Sequence, residues 1–193
     1  MTSWGKFSDS KIKEIAKEKS VLDVGGGFRS KKRGSTKYED LFKNTDYKVL
    51  DIDPRCQPDI VGDIHNLPQE DESVDAIICQ AVLEHVYDPQ KAVDEMYRVL
   101  KKGGKCLVYL PFLYPYHGKT GAYKDYYRYT KDGVEYLFRN FSSIEICPVR
   151  GNLETMINLV PFKVVRIFMP LARLFDRFFS YKQVSGYSVF LIK

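Results

Sequence analysis

The stretch "SVLDVGGG", residues 20–27, delivers a short, mostly apolar run straight into three glycines. That is the form of a buried strand ending at a sharp turn. Glycine there lets the backbone turn tightly and lets a ligand approach closely. Further strand-like runs follow: "YKVLDI" (47–52), "PDIVGD" (58–63), "VDAIICQ" (74–80), "KCLVYLPF" (105–112), "SSIEICPV" (142–149) and "YSVFLIK" (187–193). The run at 74–80 is apolar nearly throughout, which predicts a central strand of a parallel sheet.

Helical patterns fall between these runs. Residues 9–18 carry Ile12, Ile15 and Ala16 at helical spacing behind Ser8 or Ser10 as a cap. Asp88-Pro89 opens a second helix through Leu100, with Ala92, Val93, Met96, Val99 and Leu100 on one face, and the basic and glycine residues of 101–104 close it. Thr130 caps a third over 131–140. Strands alternating with helices predict an α/β fold, a Rossmann-like, mostly parallel sheet with helices on both faces. A helical insertion, 151–182, precedes the last run, and 193 residues suit a single domain.

In such a sheet ligands bind at the carboxyl ends of the strands. Gly25, Gly26 and Gly27 follow the first strand directly, and Asp51 ends the second, where an acid commonly accepts from ribose hydroxyls. These features fit NAD as well as other adenosine cofactors. The third dinucleotide glycine would fall at Ser30, and no GxxxxGK[ST] motif is present, which argues against a nucleoside triphosphate.

The segments "VLDVGGG", "VLDID", "GDIHNLP", "SVDAIICQAVLEHVYDP" and "RVLKKGGKCLVYLPF" occur in that order. As a series they resemble the class I S-adenosylmethionine-dependent methyltransferases, in the small branch with "LEH" after the fourth strand. The resemblance covers about residues 20–112. The later "YPYHG…DYYRYT" resembles a subgroup with a DYWRFT-like element, many of whose members look associated with surface-glycan or lipid-linked sugar pathways. The resemblance implies seven strands with the last antiparallel, and S-adenosylmethionine as cofactor. It implies that Asp23 engages the methionine amine, that Gly25–Gly27 pack against the methionine and ribose, and that Asp51 binds the ribose hydroxyls. Ile52 would lie against the adenine. Asp63 would accept from the adenine amino group beside the Ile64 amide, and Gln80 would close the pocket. Three acids suit a cofactor that carries an ammonium, a diol and an exocyclic amine. Two departures stand out. The family loop usually reads GxGxG, and its last position here is Arg29; "DPRCQP" is too short for the usual helix after the second strand.

On the acceptor side, His117 follows the fifth strand among Tyr114, Tyr116, Tyr123, Tyr126 and Tyr127. It is the candidate general base, with a hydrogen-bonding or loop-anchoring role as the alternative. Tyr114, Tyr116, Tyr123, Tyr126 and Arg128 are candidate substrate contacts, although Asp125 and Arg128 are expected to pair and hold a lid. His85 is expected to hydrogen-bond structurally, within its own turn, and His65 has no evident role. Methyl transfer from a sulfonium is an in-line displacement helped mainly by positioning, so a strong base is optional. No acid cluster suggests a catalytic metal, and no metal is expected.

The insertion contains "FKVVRIFMPLARLFDRFF" (162–179). At ~100° per residue, Lys163, Arg166, Arg173 and Arg177 share one face. Val164, Ile167, Phe168, Leu171, Phe175, Phe178 and Phe179 fill the other side. Pro161 suits a helix start, and Pro170 should kink or split the helix. Such a basic amphipathic helix can cover the active-site edge, make a homodimer contact or lie on a membrane surface.

A net charge of +5 permits an anionic partner without requiring one. The four cysteines form no CxxC pair and read as reduced thiols. The amino-terminal stretch has no apolar leader, and no apolar stretch is long enough to span a bilayer, so a cytoplasmic location is expected, peripheral to a membrane if 162–179 lies on one. The function expected is methyl transfer to a small-molecule, glycan or lipid-linked acceptor. The alternatives are RNA methylation through the basic segment 29–37 (nucleic acid being the less favoured partner), a non-catalytic cofactor- or membrane-binding module, and a nicotinamide oxidoreductase.

Overall fold

The computed structural model describes residues 2–27, 40–161, 163–176, 178 and 183–193. The basic segment 28–37, with Arg29 and Ser30, lies outside the described residues, as do Phe162, Arg177 and Phe179. Seven strands form one sheet: β1 (Ser20–Val24), β2 (Asp46–Asp51), β3 (Ile60–Val61), β4 (Val74–Gln80), β5 (Leu100–Pro111), β6 (Ser143–Val149) and β7 (Gly186–Ile192). Their order is β3-β2-β1-β4-β5-β7-β6. β1 to β5 pair in parallel, while β7 runs antiparallel between β5 and β6. This is the Rossmann-like architecture with the reversed last strand.

The core shows why these runs become strands. Side chains on a strand alternate between faces. Leu22, Val24, Ile77, Cys79, Cys106, Val108, Val189 and Leu191 pack on one face, against Ala92, Val93, Met96 and Val99 of a helix over Pro89–Val99. Val21, Ala76, Ile78, Leu107 and Phe190 pack on the other, against Phe7, Ile12 and Ile15 of α1 (Ser3–Ile15). Both faces are covered, so the central strands carry apolar residues at nearly every position. The helix over Pro89–Val99 is α2; α3 spans Lys131–Leu137 and is capped by Thr130, whose hydroxyl accepts from the Gly133 amide at 3.1 Å.

Several boundaries differ from the sequence expectation. α1 starts at Ser3, not near residue 9, because the Thr2 hydroxyl caps the Gly5 amide and Phe7 extends the buried stripe by a turn. β3 has only two residues. Residues 101–104, expected to close α2, belong to β5, which begins at Leu100. Leu100 is fully buried and its backbone already extended, and Gly103 takes a positive φ of 73° at the edge. The insertion holds α4 (Asn152–Leu159), a 3-10 turn (Lys163–Phe168) and α5 (Met169–Phe175), so 162–179 is not one helix. Pro170 sits in the first turn of α5, where its missing N–H is tolerated, and this is where the split falls.

Among the described residues, no helix is long and apolar enough to cross a membrane.

Candidate active site

The carboxyl ends of β1, β2, β4 and β5 share one edge of the sheet, and the candidate cofactor residues lie along it. The Gly25 amide donates to the Leu50 carbonyl at 2.7 Å, tying the glycine turn to the end of β2. Gly25 has φ +66°, and a β-carbon there would strike the Val82 side chain. A β-carbon on Gly26 would stand 2.7 Å from the Asp23 carboxyl, and one on Gly27 would collide with Asp51 Oδ2 and reach Cys56 Sγ at 3.0 Å. The turn is bare because two carboxylates press against it.

Asp23 is buried and accepts from the Tyr47 hydroxyl at 2.6 Å. Asp51 accepts the Asp53 amide at 2.9 Å through Oδ1. Asp53 instead caps the 3-10 turn of Pro54–Cys56 and pairs with Arg55. That turn is the one helical element between β2 and β3, so the shortened connection is real. Ile52, just past β2, is 64% exposed, an apolar side chain left open beside the glycines. The Gly62 amide donates to the Asp51 carbonyl at 3.0 Å, which sets Asp63 and the buried Ile64 alongside. Burial alone would raise the Asp63 carboxyl, but hydrogen bonds from the His65 amide (2.9 Å) and ring (2.7 Å) outweigh it and hold it low. His65 thus orients Asp63, and its ring stacks on Tyr87 at 4.2 Å. Gln80 ends β4 beside Tyr109 of β5. These residues fit an adenosine-type cofactor: a bare turn, an open apolar side chain and carboxylates for a diol and amines.

The acceptor side is built by residues 112–130 folded over the "LEH" turn (Leu83–His85). The Tyr126 amide donates to the Glu84 carbonyl at 2.7 Å, the Tyr129 hydroxyl to the Leu83 carbonyl at 2.7 Å, and the Tyr127 hydroxyl to the Tyr87 carbonyl at 2.9 Å. Burial pushes the Tyr129 phenol far above its ordinary value and that of Tyr109 up to about 12, so both stay neutral. Tyr114, Tyr116, Tyr123 and Tyr126 keep exposed rings at the mouth.

His117 sits at the centre of this edge. Its amide donates to Asp125 Oδ2 at 2.8 Å, and its Nδ1 lies 3.1 Å from the Pro115 carbonyl and 3.3 Å from Asp125 Oδ2. Asp125 is held well below the usual carboxylate range, first of all by the Arg128 guanidinium. Arg128 also donates to the carbonyls of Tyr114, Pro115 and Tyr127, so its donors brace the loop. His85 binds the Lys124 carbonyl at 2.6 Å, in the facing loop and not within its own turn. Its burial keeps it below the ordinary histidine value.

Sequence reasoning passed over Glu84, whose side chain is 1% exposed and whose Oε1 lies 3.7 Å from His117 Nε2. The signal was present, since the acid is the middle letter of the "LEH" motif.

Arg173 does not belong to a free basic face: its guanidinium holds the buried Glu154 at 2.8 Å. Among the described residues, much of the apolar side of this segment stays exposed as well. Val164, Ile167, Phe168, Leu171 and Phe178 are exposed, and an apolar groove of about 440 Å³ runs between α4 and α5, lined by residues such as Met156, Val160, Phe168 and Phe175. The insertion leaves the sheet at Val149 and returns at Gly186, which pairs with Pro111 at the end of β5. The insertion that carries the groove is thus rooted at the same sheet edge that His117 follows.

Residues 36–108 match the family model for a methyltransferase domain. The chain is 35% identical to the demethylmenaquinone methyltransferase of Thermotoga maritima over 73% of this chain and 63% of that one. It is 34% identical to the ubiquinone biosynthesis O-methyltransferase of Coxiella burnetii over 63% of this chain and 52% of that one. It spans about half to two thirds of the length of these curated relatives. Among solved structures, a SAM-dependent methyltransferase from Archaeoglobus fulgidus superposes with a TM-score of 0.61 at 15% identity, covering 97% of this chain and 94% of that one. A putative sarcosine dimethylglycine methyltransferase from Galdieria sulphuraria gives 0.59 at 13%, covering 97% and 83%. The chain therefore has the fold of the S-adenosylmethionine-dependent methyltransferases, and its residues 36–108 carry the match to a methyltransferase domain.

Proposed function

We propose that the protein transfers a methyl group from S-adenosylmethionine to a small hydroxyl-bearing acceptor with an apolar tail. The observation that carries the cofactor half is the Gly27–Asp51 contact, which leaves no room for a side chain where a ribose would meet its carboxylate. When bound, S-adenosylmethionine supplies an electrophilic sulfonium methyl group. Asp51 and Asp63 hold the nucleoside, Asp23 anchors the turn at the methionine end, Ile52 lies against the base, and the Ile64 amide stands beside Asp63. Gln80 and the tyrosine mouth exclude water, and the Glu84–His117 pair faces the acceptor hydroxyl. The residues thereby hold the acceptor for in-line attack in a water-poor site.

The acceptor half rests on the apolar groove between α4 and α5, carried by the insertion rooted at the same sheet edge as the mouth. A tail laid there leaves the polar head at the tyrosines. One relative is named for demethylmenaquinone and another for ubiquinone biosynthesis, so a quinone-like or other lipid-linked acceptor is the class we favour.

The test is incubation with methyl-labelled S-adenosylmethionine and matched phenolic acceptors with and without an isoprenoid tail. The reading expects label in organic-extractable product, with the tailed acceptor turned over at a lower KM. Label transfer that ignores the tail refutes the acceptor half, and label found only in RNA or protein refutes the small-molecule reading.

A further inference from the structure

Two of the three histidines, His85 and His117, point their Nε2 atoms at one buried carboxylate. His85 Nε2 lies 3.9 Å and His117 Nε2 3.7 Å from Glu84 Oε1. All three candidate ligand atoms fall within 4.8 Å of one another. These separations exceed hydrogen-bond range. They lie close to the spacing of three ligands around one ion, since tetrahedral ligands at about 2.0–2.1 Å stand about 3.4 Å apart.

The opposite nitrogens add an independent observation. His85 Nδ1 is held by the Lys124 carbonyl at 2.6 Å. His117 Nδ1 faces the Pro115 carbonyl at 3.1 Å and Asp125 Oδ2 at 3.3 Å. A carbonyl or carboxylate can only accept, so each Nδ1 carries a proton, and in the neutral ring each Nε2 presents its lone pair to the Glu84 side. A histidine bound to a metal is oriented in the same way, its second ring nitrogen donating to a carbonyl or carboxylate. Asp125 is itself fixed by Arg128, whose Nη2 donates to its Oδ2 at 2.7 Å, and so is placed for that role.

We propose that Glu84, His85 and His117 form a binding site for one divalent first-row transition-metal ion, of which zinc is the type. Two imidazoles and one carboxylate select such an ion over magnesium or calcium, which prefer oxygen. Three protein ligands leave a coordination position open, the pattern of catalytic rather than structural sites. That position faces the tyrosine mouth, where rings of Tyr114 and Tyr123 pack on the two histidines. The acceptor hydroxyl occupies it, and the ion favours the oxyanion, with the proton passing to solvent. His117 then acts as a ligand, and the ion replaces it as the group that activates the hydroxyl. Only this last role rests on the methyl-transfer reading; the ion site stands on the ligand geometry alone.

The test uses the full chain, stripped with chelator and titrated with Co2+ and, separately, Zn2+. The expected result is one equivalent per chain with a visible d–d absorption for Co2+, lost in His117→Gln and Glu84→Gln. Asp125→Asn, which touches no ion, should weaken uptake about 10–100-fold. Circular dichroism and S-adenosylmethionine titration check that each variant is folded. Because Glu84 is buried, the His117→Gln result decides if Glu84→Gln fails to fold. The proposal is overturned if folded wild-type protein takes up no stoichiometric ion, if uptake survives in His117→Gln, or if thiol alkylation abolishes it. Ion uptake without S-adenosylmethionine binding would defeat the methyl-transfer reading and leave this one standing.

Discussion

Asp51 Oδ2 occupies the space where a β-carbon of Gly27 would stand. The two residues are joined through the sheet edge as well, since the Gly25 amide donates to the carbonyl of Leu50. Gly27→Ala must therefore push the carboxylate away from its site. We expect S-adenosylmethionine affinity to fall about tenfold or more, about 1.4 kcal/mol, with little change in far-UV circular dichroism. Isothermal titration checks it, and unchanged affinity would show that Asp51 does not hold the cofactor.

The Asp125–Arg128 pair should make the lid pH-sensitive in a defined direction. Asp125 is ionised in the fold to well below the usual carboxylate range. Its stabilisation is thus fully present above the unfolded value of about 3.9 and is lost as pH falls through the lower folded value. Asp125→Asn should lower the Tm at about pH 7, and the difference from wild type should shrink toward about pH 2. A thermal-melt series across that range reads it; a constant difference would contradict the pairing as the source.

Tyr129→Phe removes the hydroxyl that donates to the Leu83 carbonyl at 2.7 Å in a buried setting. The loss leaves that carbonyl without its donor, which costs about 1–3 kcal/mol. Urea denaturation should show a lower midpoint with an unchanged slope. Because this bond pins residues 112–130 to the "LEH" turn, KM for the acceptor should rise more than the affinity for S-adenosylmethionine falls.

Met156 lines the apolar groove and is itself exposed. Met156→Glu puts a charge among apolar walls yet should change stability by no more than about 0.5 kcal/mol, as for other surface substitutions. If the groove receives an acceptor tail, KM should rise several-fold for the tailed acceptor and stay level for its tail-less analogue. An equal effect on both would place the tail elsewhere.

Strand positions were legible because buried parallel strands carry nearly unbroken apolar runs: β1 and β4 begin and end where "SVLDV" and "VDAIICQ" do. The edges were not. Leu100 reads as the last apolar position of α2, yet its burial draws the backbone into β5 and carries Lys101–Gly104 with it. In 162–179 the split at Pro170 was legible, but the basic face was not: Arg173 pairs with the buried Glu154, a contact with α4 that helical-wheel counting cannot see. On the cofactor side, residue types at strand ends located the edge. On the acceptor side, the convergence of Glu84, His85 and His117 depends on residues 112–130 folding back over the "LEH" turn, a long-range contact that no local pattern encodes.

The most direct test of the central claim is calorimetric titration of the folded protein with S-adenosylmethionine, with NADH and Asp51→Ala as controls. The account predicts saturable binding of S-adenosylmethionine alone, weakened at least tenfold by Asp51→Ala, as loss of charge-assisted hydrogen bonds worth about 1.5–3 kcal/mol requires. No binding by folded protein, or equal binding by Asp51→Ala, would contradict it.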